Sequence, residues 1–267
     1  MIIIALVLII LLYALSTMCR KGHPGLQSLR CWSYAHRGLH GDGVPENSME
    51  AFRLARDAGY GVELDVHLLA DGELAVIHDA LLKRTTGAEG YIEDLTAEQL
   101  AEYKLEGTEQ TIPLFSDVLA LFDGKAPLIV ELKAERGNCA ALCRKACQML
   151  DGYHGDYCME SFDPRCIHWL RKNRPDIVRG QLTENYFKTP GSKLPWYLKF
   201  VLANQMLNFM ILPDFVAYRF SDRKCFSNFL TENLWGAQSV SWTLKNREQW
   251  ETAVEENRIP IFEGFRP

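Results

Sequence analysis

Apolar residues in this chain follow two patterns. Short runs rich in Val, Ile, Leu and aromatic side chains alternate with longer stretches in which apolar residues recur at helical spacing. The short runs predict strands at 32–36, 61–67, 74–77, 128–132, 157–161, 178–181, 214–217, 239–243 and 259–262. The helical spacing predicts helices at 48–58, 114–122, 139–150, 164–173, 195–210, 221–234 and 246–256. Asn47 is placed to cap the first of these, with Glu50 three residues on and Gly59 to end it. Asp71-Gly72 signals a hairpin between the 61–67 and 74–77 runs. Residues 80–111 break the rhythm with Thr85-Thr86-Gly87, Gly90 and an acidic helix-like stretch, and read as a small inserted element.

About eight strand–helix units in succession predict an α/β fold built on a parallel sheet. A doubly wound sheet would gather its site at one switch point, usually on a Gly-rich phosphate loop, and the chain has no such loop. Polar groups instead mark the ends of several different strands, which is where a TIM (β/α)8 barrel builds its site. The barrel is expected over 32–267, with 80–111 inserted after its second strand.

The N-terminus stands apart. Residues 2–12 are almost wholly aliphatic, and the apolar run continues to Met18. As a helix it would span roughly 25 Å, short but sufficient for a locally thinned bilayer. No Lys or Arg precedes the run, and Ser16-Thr17-Met18-Cys19 is a poor cleavage site, so an uncleaved transmembrane anchor over 1–18 is expected rather than a signal peptide. Arg20, Lys21 and Arg30 follow it, which predicts a single-pass cell-membrane protein with the domain after the anchor in the cytoplasm. Residues 19–31, with Gly22, Pro24 and Gly25, read as a juxtamembrane linker.

A net charge of -5 argues against a general nucleic-acid binder, so an anionic ligand must be attracted by a few placed cations or a metal. The eight cysteines form no CxxC pairs; Cys139, Cys143 and Cys147 share a helical face and read as small buried residues in a reducing compartment.

The candidate chemistry lies in three patches. They are Ala35-His36-Arg37-Gly38, then Glu63-Leu64-Asp65 with Val76-Ile77-His78-Asp79 beyond the hairpin, and Glu131-Leu132-Lys133. Each sets a polar group in or beside an apolar run, where an unpaired buried charge costs several kcal/mol. Glu63 and Asp65 point to one face of a strand, and with Glu131 they offer three hard oxygen donors suited to Mg²⁺ or Ca²⁺. His36 and His78 are the candidates for proton transfer. Asp79 either orients an imidazole or serves as an exposed or capping carboxylate. Arg37 and Lys133 can contact phosphate, balance the nearby acids, or do both. Trp242 is a pocket wall or a packing residue.

Together these patches resemble the glycerophosphodiester phosphodiesterase family. The resemblance runs from about Tyr34 to Thr243. It includes Ala-His-Arg-Gly at 35–38, Pro-Glu-Asn-Ser at 45–48, Glu-Leu-Asp-Val at 63–66, His-Asp at 78–79, Arg-Thr-Thr-Gly at 84–87, Glu-Leu-Lys at 131–133, Ser-Phe-Asp at 161–163 and Trp-Thr at 242–243. It implies a divalent cation on Glu63, Asp65 and Glu131, acid–base roles for His36 and His78, and phosphate contacts from Arg37 and Lys133. Glu46 and Asn47 would stand just behind the site. Two departures are Leu69, where the family often has threonine, and the ending Ile261–Pro267, which lacks the usual Thr-Asp.

The activity expected on this basis is metal-dependent hydrolysis of glycerophosphodiesters to glycerol 3-phosphate and an alcohol. Action on lysophospholipids or intact lipids is the enzymatic alternative, and a non-catalytic membrane-bound barrel is the other. The apolar, aromatic stretch 194–212 is either an outer helix or lid of the barrel or a lipid contact.

Overall fold

The structure, a computed structural model, describes residues 1–267. Helices α1 (Ile2–Ser16) and α2 (Leu26–Leu29) precede β1 (Tyr34–His36), α3 (Met49–Asp57), β2 (Gly61–Leu68) and β3 (Leu74–Val76). Helix α4 (Lys83–Thr86) and two 3-10 turns, Ile92–Asp94 and Ala97–Glu102, lead to α5 (Phe115–Phe122). Then come β4 (Leu128–Leu132), α6 (Cys139–Leu150), β5 (Tyr157–Ser161), α7 (Pro164–Asn173) and β6 (Arg179–Thr183). Helices α8 (Trp196–Ala203) and α9 (Asn208–Ile211) precede β7 (Phe215–Arg219), and α10 (Phe226–Phe229) precedes β8 (Gln238–Leu244). Helix α11 (Arg247–Glu255) and β9 (Ile259–Phe262) complete the chain.

Eight of the nine strands close a parallel barrel in the order β1-β9-β8-β7-β6-β5-β4-β2, with β1 pairing back onto β2. Strand β3 runs antiparallel to β2 and stays outside the ring. Alternation along each strand sorts the side chains. Val62, Leu64 and Val66 of β2 pack outward with Phe52, Phe115 and Phe122 of the helices, whereas Tyr34, Ile129, Cys158, Phe215 and Ile261 fill the barrel interior. Gly180 permits this filling, because a Cβ there would lie 2.0 Å from the Phe215 ring.

Residues 19–31 pack against the barrel. Leu26 and Leu29 of α2 join the interior cluster, and Tyr34 Oη donates to the Leu29 carbonyl at 3.0 Å. Arg20 pairs with the buried Asp214 and donates to the carbonyls of Pro175 and Ile177. Residues 80–111 cover Ile77 with a small apolar cluster of their own, including Leu82, Ile92, Leu95 and Leu100. Buried His67 ties that element to the barrel through Glu93 at 2.6 Å and the His78 carbonyl at 3.3 Å.

The structure overturns the expected transmembrane helix over 1–18 and the single-pass placement built on it. No helix is long and apolar enough to cross a membrane. Helix α1 has 15 residues, a length of about 22 Å. It stops because Thr17 folds back, its hydroxyl donating to the Ala14 carbonyl at 2.9 Å, while Arg20 N bonds Pro213 O at 2.9 Å and draws the chain onto the barrel. Trp235 Nε1 also donates to Ala14 O, at 2.9 Å.

Three local expectations change as well. The helix expected over 195–210 is two pieces, α8 and α9, separated where Gln205 adopts a left-handed φ of 57°. The helix expected over 221–234 is a 3-10 turn, α10 and a π-helical turn at Leu230–Leu234. Asn47 does not cap α3: its φ is 51°, its amide is engaged with Asp65, and the cap is the Ser48 hydroxyl, which accepts from Ala51 N at 3.1 Å.

Truncating the plug at the base of the barrel tests this packing. Leu29→Ala is expected to cost about 2–4 kcal/mol in urea-induced unfolding, because Leu29 is 2% exposed and its removal leaves a cavity in the interior cluster. A loss below about 0.5 kcal/mol would show that α2 does not support the core.

Candidate active site

Strand register assembles the site at the C-terminal ends of β1, β2, β4 and β5. His36 lies beside Glu63, Asp65 beside Glu131, and Glu131 beside Glu160. Carboxylate oxygens of Glu63, Asp65 and Glu131 all lie within 4.8 Å of one another, and all three residues are buried. Glu160, 1% exposed, stands next to them with Oε2 unpartnered. Two cations face this group. Lys133 Nζ lies 2.7 Å from Glu131 Oε1 and 3.0 Å from Asp65 Oδ1. Arg37 places Nε 3.5 Å from Asp65 Oδ2 and bonds Glu46 Oε1 through Nη1 at 2.9 Å. Asn47 Nδ2 donates to Asp65 Oδ2 at 2.8 Å, so each residue of the 46–47 pair holds a cleft-facing group in place.

The charges decide which carboxyls ionise. Burial opposes ionisation of Asp65, but Lys133, His78 and Arg37 outweigh it and hold its carboxyl well below the usual range. Burial pushes Glu63 and Glu160 well above that range, and the neighbouring Glu131 adds to the shift. Burial also pushes Glu131 up to about 7, against the pull of Lys133. Four buried carboxyls thus converge with two cations among them, and the excess is carried by protons. The donor set is oxygen only, and Glu63, Glu131 and Glu160 line one cleft beside Arg37. That combination fits a hard divalent cation.

Both histidines are held from behind by carboxylates. His36 Nδ1 sits 2.5 Å from Glu263 Oε2, which leaves Nε2 turned toward Glu63 at 3.9 Å. His78 Nδ1 sits 2.5 Å from Asp79 Oδ1. A carboxylate on Nδ1 fixes the tautomer that leaves Nε2 free. Burial pushes the His36 imidazole down to about 4, partly opposed by its bond to Glu263. Burial lowers His78 too, with Asp65 opposing. Burial disfavours the Glu263 charge, but the hydrogen bond with His36 and the hydrogen bond and charge of Lys245 prevail and hold it ionised. Asp79 is held ionised by His78 and Arg84, and Arg84 also grips Glu46.

His36, Arg37, Glu63, His78, Glu131 and Trp242 all line one cleft, joined there by Glu160 and Phe162. Trp242 forms part of its wall, packed edge-on to Phe162 at 5.6 Å and donating from Nε1 to Ala217 O at 3.1 Å. Asp79, Glu46 and Asn47 stand behind the lining residues. Sequence reasoning passed over Glu160, Glu263 and the His67–Glu93 pair, and met Arg84 and Phe162 only as parts of motifs, with no role assigned. Glu160 and Glu263 carry the cue that found the others, a carboxylate inside or at the end of an apolar strand.

Comparison with known proteins agrees with this geometry. The sequence profile of the glycerophosphoryl diester phosphodiesterase family matches residues 36–262. A glycerophosphodiester phosphodiesterase of Caldanaerobacter subterraneus is 28% identical over 236 residues, covering 83% of this chain and 88% of that one. One from Bacillus altitudinis is 41% identical over 181 residues, covering 64% of this chain and 72% of that one. Among solved structures, a phosphodiesterase of Oleispira antarctica in complex with its product sn-glycerol-3-phosphate shares the fold, with a TM-score of 0.70 at 20% identity over 87% of this chain and 92% of that one. The barrel, the carboxylates at its mouth and the matching profile lead to one assignment: the chain is an enzyme of the glycerophosphoryl diester phosphodiesterase family.

Proposed function

We propose that the protein hydrolyses glycerophosphodiesters to glycerol 3-phosphate and an alcohol, with a divalent cation held by Glu63, Asp65 and Glu131. The observation that carries this reading is the trio of buried carboxylates within 4.8 Å of one another, flanked by two histidines that each have a carboxylate on Nδ1. When bound, the cation supplies Lewis-acid stabilisation of charge on the phosphate oxygens. The chain's own residues supply the rest. Arg37 lines the cleft and Lys133 stands beside Asp65 and Glu131, and together they neutralise the phosphodiester. Trp242 and Phe162 exclude water from one side of it. His36, held lower and bonded to Glu263, is neutral at pH 7 and accepts at Nε2 the proton of the nucleophile, which is water directly or the glycerol 2-hydroxyl, whose cyclic phosphate water then opens to glycerol 3-phosphate. His78, more open to solvent at 31% side-chain exposure, delivers a proton from Nε2 to the leaving alcohol in its imidazolium form, which Asp65 and Asp79 favour and burial opposes.

A second reading, action on lysophospholipids, is favoured by the aromatic wall of Phe162, Tyr186 and Trp242 and the exposed Phe187, Trp196 and Tyr197 beyond it. Release of glycerol 3-phosphate from glycerophosphocholine and glycerophosphoethanolamine, abolished by excess chelator, is the expected result. Formation of choline and lysophosphatidic acid from lysophosphatidylcholine, with no product from either glycerophosphodiester, would replace the first reading with the second.

Replacing either histidine by alanine is expected to lower turnover of glycerophosphocholine by about 10²–10⁴-fold. With 4-nitrophenol as leaving group, which departs without a proton, the His78→Ala variant is expected to recover most of its rate and His36→Ala none. The opposite recovery pattern would exchange the two roles.

Metal affinity should depend on pH with a defined sign. A proton on Glu131 competes with the cation, and this carboxyl titrates near 7 in the folded chain against 4.5 as its ordinary value. Its raised value stabilises the metal-free fold below pH 4.5, and that contribution is lost as pH rises through 7. His36, lowered from 6.5 to about 4, acts oppositely between those values, so the two nearly offset in stability. They do not offset in binding, where both groups favour the cation once deprotonated. The dissociation constant for Mg²⁺ measured by calorimetry is expected to fall roughly tenfold from pH 6 to pH 8. A constant that does not change would remove Glu131 from the ligand set.

A further inference from the structure

We propose that Cys139 and Cys166 form a reversible disulfide that pins together the two loops that leave β4 and β5 at Lys133 and Phe162. All eight cysteines are free in the structure. Cys139 is the first residue of α6, six residues beyond Lys133, and Cys166 lies in the first turn of α7, four residues beyond Phe162. Their sulfurs are 3.0 Å apart, with Cys166 donating to Cys139, although the residues are 27 apart in sequence. Cys143, one turn along α6, brings a third sulfur within 4.8 Å of both. The three sit at the junction of α6 and α7, behind the ends of β4 and β5. A bond there would join the starts of two helices whose preceding loops lie side by side at the cleft.

The reactive member of the trio is Cys139. It is 8% exposed, whereas Cys143 and Cys166 are fully enclosed. It stands at the N-terminus of a 12-residue helix, where backbone N–H groups favour a thiolate. Hydrogen bonds from Cys143 and Cys166 hold it further below the usual thiol range. With a hydroperoxide as oxidant, the Cys139 thiolate attacks an oxygen and the O–O bond breaks. This gives a sulfenic acid and hydroxide, which takes up a proton as water. The Cys166 sulfur then attacks the sulfenic sulfur. The S–S bond forms, the S–O bond breaks, and the Cys166 proton leaves with the hydroxide as a second water. Two thiols give two electrons, and one peroxide accepts them.

The test is to treat the full-length protein with hydrogen peroxide, block remaining thiols, and map disulfides by peptide mass spectrometry, with no variant required. The expected result is a Cys139–Cys166 link removed by dithiothreitol, a melting temperature raised by about 5 °C or more, and slower hydrogen exchange in 133–139 and 161–166. Cys143→Ser is expected to retain the link and Cys166→Ser to lose it. A sulfinic acid on Cys139 without a link, a link made through Cys143, or a link that leaves exchange in both loops unchanged would each overturn the proposal.

Discussion

Mutual repulsion of carboxylates at the mouth of the barrel is the constraint around which the rest of this molecule is arranged. Glu63, Asp65, Glu131 and Glu160 project from three adjacent strands into one enclosed space. Moving each ion out of water carries an effective penalty of several kcal/mol, and their mutual repulsion adds to it. Lys133 and Arg37 answer part of this, and raised carboxyl pKa values answer the remainder by keeping protons in the site. A divalent cation would take the place of those protons. On the proposed reading, the same groups that destabilise the metal-free protein would be the ones that recognise the metal.

Such an arrangement requires a rigid frame, and the frame is the barrel. Parallel pairing fixes the register that sets Asp65 beside Glu131, and closure of β9 onto β1 brings Glu263 up behind His36. The base is covered by Leu26 and Leu29, which pack into the apolar interior. The inserted 80–111 element is part of the same frame. It reaches the site through the buried His67–Glu93 contact and through Arg84, which grips both Asp79 and Glu46.

The strand pattern was legible because alternation and apolar runs are local properties of the sequence. So were the first carboxylates and histidines, since a charge set amid Val and Leu is too costly to bury without a partner or a metal. What escaped notice depends on three-dimensional neighbours. Glu263 lies far from His36 in sequence and meets it only when the barrel closes. Asn47 looked like a helix cap because its spacing suits one, but a bond to buried Asp65 is worth more than a cap that Ser48 can supply instead. The N-terminal run was apolar enough to suggest a membrane span, and composition cannot show where a helix will end. Its end is set by Thr17 and by the docking of Arg20 onto Asp214 and Pro213.

The central claim is that the carboxylates of β2 and β4 hold one cation. The most direct measurement is anomalous X-ray scattering from crystals equilibrated with Mn²⁺ at pH 8, in which the metal locates itself. The account predicts a single strong peak bounded by oxygens of Glu63, Asp65 and Glu131, absent from crystals of a Glu63→Gln variant. A fully active protein whose crystals show no peak there, or whose ion lies elsewhere, would contradict it.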